Sequence, residues 1–260
     1  MIKTISLIGA GNLATRLGIA LREEGLQITQ VYSRTEESAR ELAEKLDCDA
    51  VWRLEDVTLD ADLILFAVKD DALDSVLRQL PLYGKLIVHT AGSLPLSVLA
   101  PYSNRYGVFY PLQTFSKQRE FEFIDIPICL EASDIESLDE LDELAWSISE
   151  KVKEVNSEQR LGLHLAAVFV CNFVNHFYTL GAQIVEKLGF DFDLLKTLIC
   201  ETTDKIIEMK PFDAQTGPAK RFEETIINKH LDFLSDQPEL KEIYRLVSKS
   251  IFEAHKPQLK

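Results

Sequence analysis

A chain of 260 residues with 28 Lys and Arg against 42 Asp and Glu carries a formal charge of −14, and 46% of it is hydrophobic. That balance is too apolar for a disordered chain and too acidic for a nucleic-acid binder, whose phosphate contacts need clustered Lys and Arg. One small anionic ligand stays admissible, because backbone amides and a single Arg can hold it locally.

Ile5–Ile8 reads as a short apolar strand, and the run Gly9-Ala-Gly11-Asn12-Leu13-Ala14 follows it at once. A helical pattern (Leu13, Leu17, Ala20, Leu21) then ends near Gly25. Residues 28–32 form the second strand and 35–46 the second helix. Residues 62–68 are a continuous apolar strand of the kind buried on both faces of a parallel sheet. A helix capped by Asp70 or Asp71 runs to Leu80, and strands follow at 85–88, 106–109 and 126–130. This alternation predicts an α/β, doubly wound parallel sheet over residues 1–155. After Leu130 no further strand is expected. Residues 131–150 place Ile135, Leu138, Leu141, Leu144 and Ile148 at helical spacing. Residues 156–260 read as an all-helical domain for substrate and dimerisation, with breaks at Gly189, between Pro211 and Pro218, and at Pro238.

Cys48, Cys129, Cys171 and Cys200 stand far apart with no His at metal spacing, so free thiols and no metal site are expected. The apolar run at the N-terminus is too short for a signal-peptide core, which predicts a cytoplasmic protein. From Leu161 to Val185 there is no Asp, Glu, Lys or Arg. His164, Asn172, Asn175, His176, Thr179 and Gln183 make this stretch too polar for lipid, so a helix buried in protein is expected and a membrane partner is not. At about 100° per residue these polar groups fall within roughly 120° of arc. Uncharged hydrogen-bonding groups suit the wall of a cleft or a subunit interface, where charges would be costly to desolvate.

Gly9-x-Gly11-x-x-Ala14 sits between a strand and a helix, where the first glycine permits a tight turn and the second lets backbone approach a pyrophosphate. Ala14 permits close helix packing, and free amides at the helix start, through Asn12 and Leu13, face the anion. NAD sites place an acid at the end of the second strand. Here Tyr32-Ser33-Arg34-Thr35 stands there instead. Arg34 can offer a fork to a 2′-phosphate, with Ser33 and Thr35 adding hydroxyls; Ser33 or Thr35 capping the second helix is the plainer alternative. NADP is therefore the expected cofactor. The backbone of Ala67-Val68-Lys69, after the 62–68 strand, should pass near its ribose. Beyond the next two strands lie His89, Thr90, Ser93, Tyr110 and Gln113, on the side where open sheets hold ligands.

These motifs resemble the 6-phosphogluconate-dehydrogenase-like Rossmann superfamily, which includes pyrroline-5-carboxylate reductase, prephenate dehydrogenase and the deazaflavin-dependent NADP oxidoreductases. More closely, the chain looks like an uncharacterised family that joins such a Rossmann domain to a helical C-terminal domain of unknown function. The likeness rests on Gly9–Ala14, the His89–Ser93 turn, Tyr110-Pro-Leu-Gln113-Thr-Phe115, and His164–Asn172. Thr216-Gly-Pro218 with Arg221, Thr225 and His230 is distinctive of the uncharacterised family. The resemblance implies a nicotinamide-dependent oxidoreductase, dimeric through its helices. Relatives that oxidise 2-hydroxy acids carry a catalytic Lys where this chain has Val168, and the family's usual His before Pro-Leu-Gln is Tyr110 here. His164, Asn172, Thr90 and Tyr110 are the candidate catalytic residues, and His89, Ser93, Gln113, Thr216 and Arg221 the candidates for binding a small substrate. A non-catalytic NADP(H) sensor and a pyrroline-5-carboxylate-reductase-like imine reductase stand as alternatives to an oxidoreductase acting on a small metabolite.

Overall fold

Neighbouring strand residues face opposite layers, and the apolar pattern fills both. In β1 (Thr4–Ile8), Ile5 and Leu7 enter one layer and Ile8 the other; in β4 (Leu63–Phe66), Leu63 and Leu65 join the first, Ile64 and Phe66 the second. The first layer is completed by α1 (Asn12–Glu23), α2 (Glu36–Leu46) and α4 (Ile135–Ile148), through Leu17, Leu21, Leu42, Leu141 and Leu144. The second is completed by α3 (Asp70–Leu77) and Leu99. The computed structural model describes residues 1–119 and 122–256.

The remaining strands are β2 (Gln27–Tyr32), β3 (Asp49–Val51), β5 (Leu86–His89), β6 (Arg105–Pro111), β7 (Ile128–Ala132) and β8 (Val152–Glu154). Their order is β3-β2-β1-β4-β5-β6-β7-β8, parallel except where β7 runs against β6. The strand order reverses direction between β1 and β4, the place where doubly wound sheets open a ligand crevice. The expectation that strands end at Leu130 is corrected by β8. That strand has three residues, two of them exposed, so it carries no apolar run to announce it. β3 is equally short, and its three residues carry no apolar run that predicts a strand. Both lie at the ends of the sheet, where short, polar strands discourage edge-to-edge pairing.

The chain divides into two compact units, Met1–Phe173 and Val174–Lys260. That division falls later than the expected boundary at 155. The reason is α5 (Ser157–Ala167), which is bonded to the sheet through Ser157, Arg160 and His164. A capping box between Asn156 and Gln159 starts α5, and a π-helical segment, Val168–Phe173, closes the first unit.

The second unit comprises α6 (Val174–Lys187), α7 (Asp193–Glu208), α8 (Pro211–Ala214), α9 (Glu224–Phe233) and α10 (Pro238–His255). Its breaks fall at the glycine and prolines that the sequence marks. Among its described residues, Ala219 and Leu234 are the buried hydrophobic ones, whereas Leu194, Leu198 and Ile207 are 66%, 62% and 77% exposed. The uncharged helix is likewise open within the single chain, with Phe169 and Val170 exposed, in contrast to the expectation of a helix buried in protein. By length and apolarity alone, the run Ser157–Lys187 is sufficient to cross a membrane.

Candidate functional site

At the reversal between β1 and β4, a cavity of about 340 Å³ is lined by Gly9, Gly11, Ser33, Arg34, Thr35, Ala67, Val68 and Lys69. Gly9 leaves β1 at φ +130°, and its N–H donates to the Tyr32 carbonyl at 2.8 Å. A Cβ there would lie 2.3 Å from the Ala67 carbonyl oxygen, so the turn and the close approach both require glycine. Gly11 is the N-cap of α1, with no side-chain cap, and a Cβ on it would meet nothing within 4 Å. Open space thus stands before the free amides of a helix N-terminus, the arrangement an anionic pyrophosphate fits. Ala14 is fully buried and Leu13 packs against the core. Asn12 donates from Nδ2 to the Phe115 carbonyl at 3.0 Å, which ties the loop after β6 to this turn.

The other end of the cavity holds Ser33, Arg34 and Thr35. Thr35 is the N-cap of α2 in extended backbone, yet its side chain makes no capping bond. Arg34 is exposed, and no ion pair among the described residues engages it. Ser38, one turn into α2, also lines the cavity, a residue that local pattern did not single out. An arginine fork with neighbouring hydroxyls fits a 2′-phosphate, and among the described residues no acid lines this cavity to receive a free ribose hydroxyl. A larger hollow of about 690 Å³ along α1 presents Glu23, Glu24 and Glu122 against one cation, Arg16, whose guanidinium donates to the Ser116 and Lys117 carbonyls. Three carboxylates oppose the phosphates of a dinucleotide.

Farther along the same edge, Tyr110 at the end of β6 places its hydroxyl 3.1 Å from Nδ1 of His164 on α5. Gly92 closes over this pair, and a Cβ there would sit 2.7 Å from His164 Nδ1 and 2.8 Å from Tyr110 Cζ. Burial pushes the Tyr110 phenol up to about 12, the Cys129 thiol adds to the rise and the Arg160 charge works against it. The phenol therefore keeps its proton throughout the physiological range. The other residues of this edge are differently engaged. His89 is 1% exposed, and its Nδ1 accepts from the Ala91 N–H at 3.1 Å. Thr90 is buried and donates to the Phe66 carbonyl. Ser93 donates to the Asp70 carboxylate, and Gln113 folds back to accept from the Thr114 N–H at 2.8 Å.

Asn172 lies exposed in the π-helical segment. A 100° wheel does not hold across such a wider turn. Within the second unit, Thr216 lines a mostly apolar hollow of about 390 Å³, where His230 Nδ1 and the Tyr244 hydroxyl lie 2.7 Å apart. Arg221 is paired with Glu223 through two bonds of 2.9 Å.

Residues 4–92 match the family described as "NADP oxidoreductase coenzyme F420-dependent", and residues 126–251 match a domain of unknown function (DUF2520). A solved protein of Bacteroides fragilis, described as a "putative NADP oxidoreductase", is 48% identical over 97% of this chain and 98% of its own, with a TM-score of 0.92. The chain belongs to this NADP oxidoreductase family. A Thermotoga maritima protein shares the fold at 24% identity and TM-score 0.81, covering 97% of this chain and 100% of its own. A reductive aminase of Aspergillus terreus, solved with NADPH and ethyl levulinate, shares it at 14% identity and TM-score 0.73, covering 98% and 97%. No curated protein matches the chain. The family is NADP-dependent, and the cradle from Gly9 to Lys69 has the donors and space for that cofactor.

Proposed function

We propose that this chain is an NADP(H)-dependent oxidoreductase acting on a small metabolite, with the Tyr110–His164 pair moving the proton. The observation that carries this reading is the 3.1 Å contact between those two side chains, on the strand edge that also holds the Gly9 cradle. When bound, the cofactor supplies or accepts a hydride. The chain's own residues do the rest: Gly9 and Gly11 admit the pyrophosphate, Ser33, Arg34 and Thr35 hold the 2′-phosphate, and Ala67–Lys69 border the ribose. In the reductive direction the Tyr110 hydroxyl gives its proton to the substrate heteroatom beside the carbon that is reduced, and His164 returns one from solvent. Thr90 and Asn172 are candidate helpers, with His89, Ser93, Gln113, Thr216 and Arg221 as candidate substrate contacts.

Imine reduction is the second reading. It is favoured by Tyr110 standing where relatives carry His and Val168 where others carry Lys, because an iminium accepts hydride with little acid–base help. NADPH consumption over a panel of imines, keto acids and aldehydes tests both readings. Turnover of at least one class is expected. In Arg34→Ala, NADPH affinity should fall roughly 10- to 100-fold while NADH affinity holds, the effect of losing charge-assisted bonds to one phosphate. An unchanged NADPH-to-NADH ratio would remove Arg34 from the site. Tight NADPH binding with no turnover of any class would overturn the enzyme in favour of a sensor.

The same proposal includes a second copy of the chain. A helical unit with so little of its apolar surface buried is far outside the habit of monomers, whose exposed apolar patches rarely exceed a few hundred Å², and stable dimers cover surfaces of this kind. Sedimentation equilibrium should give twice the chain mass, and Leu194→Glu with Leu198→Glu should shift the population toward monomer. A wild-type monomer at micromolar concentration would refute the dimer. The four free cysteines fit a reducing, cytoplasmic setting.

A further inference from the structure

We infer that Arg160 is a positioning residue that sets the register of α5 against the sheet and thereby holds the Tyr110–His164 pair in contact; the inference rests on the reading of that pair given above. Among the described residues Arg160 is the largest fully buried side chain, at 0% exposure. Its guanidinium donates to the Glu131 carboxylate on β7 and to the Leu94 carbonyl at 2.5 Å. Glu131 also accepts from the Ser157 N–H at 3.0 Å and from the Ser157 hydroxyl at 2.9 Å. One guanidinium therefore joins three segments: β7, the loop after β5, and the first turns of α5.

Those are the segments that assemble the pair. In the antiparallel register Tyr110 stands opposite Cys129, and Val108 opposite Glu131, so Tyr110 and Glu131 share one face of the sheet. On α5, Arg160 and His164 share a face four residues apart, a rise of about 6 Å. Two strand residues span about 6.6 Å. One helical turn thus matches two strand positions, and fixing Arg160 on Glu131 brings His164 level with Tyr110. The loop repeats the same measure in the opposite direction. Gly92 packs on His164, the Leu94 carbonyl accepts from Arg160, and the Leu96 N–H donates to the Ser157 hydroxyl at 2.9 Å. A buried ion pair contributes little net stability, and Arg160 Nε stays buried with no hydrogen-bond partner. Register is what this arrangement delivers.

The test is read on the imidazole itself. In protein labelled with ¹⁵N-histidine, Tyr110→Phe should shift the His164 ring-nitrogen signals by removing the bond at Nδ1. Arg160→Met should move the same signals in the same direction, and Arg160→Lys, which keeps the charge but loses the fork, should fall between. Turnover should drop on the order of 10²-fold in Arg160→Met, the scale of a misplaced group, with NADPH affinity unchanged. A folded Arg160→Met with wild-type His164 signals overturns the inference. Should that variant not fold, Glu131→Gln, which keeps the side-chain size and removes the charge, is read in the same way. Full turnover in Tyr110→Phe would retire the pair as the proton carrier, while the ring-nitrogen signals would still decide what Arg160 does.

Discussion

Gly9→Ala is expected to lower stability and remove NADPH binding together. At φ +130° an L side chain is strained by about 1–3 kcal/mol. The new methyl would also lie 2.3 Å from the Ala67 carbonyl oxygen and 2.7 Å from its carbon. Those atoms are backbone at the end of a buried central strand, so neither partner can swing aside, and overpacking of that kind adds another ~1–3 kcal/mol. Gly11→Val separates the two effects. That position has no positive φ and nothing within 4 Å of a Cβ, so the variant should melt close to the wild type. Its side chain would occupy the space before the α1 amides, and NADPH affinity should fall by more than about 10²-fold, the loss of several charge-assisted bonds. Thermal melts and NADPH fluorescence titrations of both variants check this. Normal cofactor affinity in a folded Gly11→Val would remove the α1 N-terminus from the site.

Acidification from pH 6.5 to pH 4 should cost the fold about 3 kcal/mol through His89 alone. Burial holds this imidazole down to about 4 from an ordinary 6.5, and the nearby Arg160 charge adds to the depression. The Pro95 backbone and the Asp70 charge pull the other way and are outweighed. Above pH 6.5 neither the folded nor the unfolded chain binds a proton here, and the stabilisation is complete. Between 6.5 and 4 the unfolded chain takes up a proton that the folded chain refuses, so stability falls by about 1.4 kcal/mol per pH unit. Urea midpoints from pH 7 to 4.5 should decline in the wild type, with a shallower decline in His89→Asn. Equal slopes would mean that His89 is readily protonated in the folded protein.

The parts of this molecule that were legible in the sequence are those whose cause is local. Gly9, Gly11 and Ala14 carry their turn and their helix start in neighbouring residues, and the strands with continuous apolar runs announce themselves. The reversal at β7 does not, because Ile128–Ala132 has the same composition whichever way it runs. β3 and β8 are too short to show a period. At the site, Tyr110 and His164 each stand out for their chemistry, but 54 residues separate them and only the fold puts them at 3.1 Å. Arg160 left no signal at all. Within Ser157-Glu-Gln-Arg160 it reads as one more solvated charge in a first helical turn, and its burial depends on Glu131 and Leu94 arriving from elsewhere. The uncharged helix was a true anomaly, yet whether such a surface is covered by its own chain is a property of the whole assembly.

The reversed strand has a directional outcome. β1, β4, β5 and β6 all end at the cradle edge, and β7 starts there, with Ile128 opposite Pro111. β8 follows β7 and so descends away from that edge. The segment after β8 has to climb back, and α5 does: Ser157 begins beside Glu131, and seven residues later, a rise of about 10 Å, His164 arrives at Tyr110. Had the last two strands run with the others, the helix after them would have started at the cradle and travelled away from it. A last pair of strands that runs against the rest of the sheet thus turns a connecting helix into a delivery arm for one imidazole.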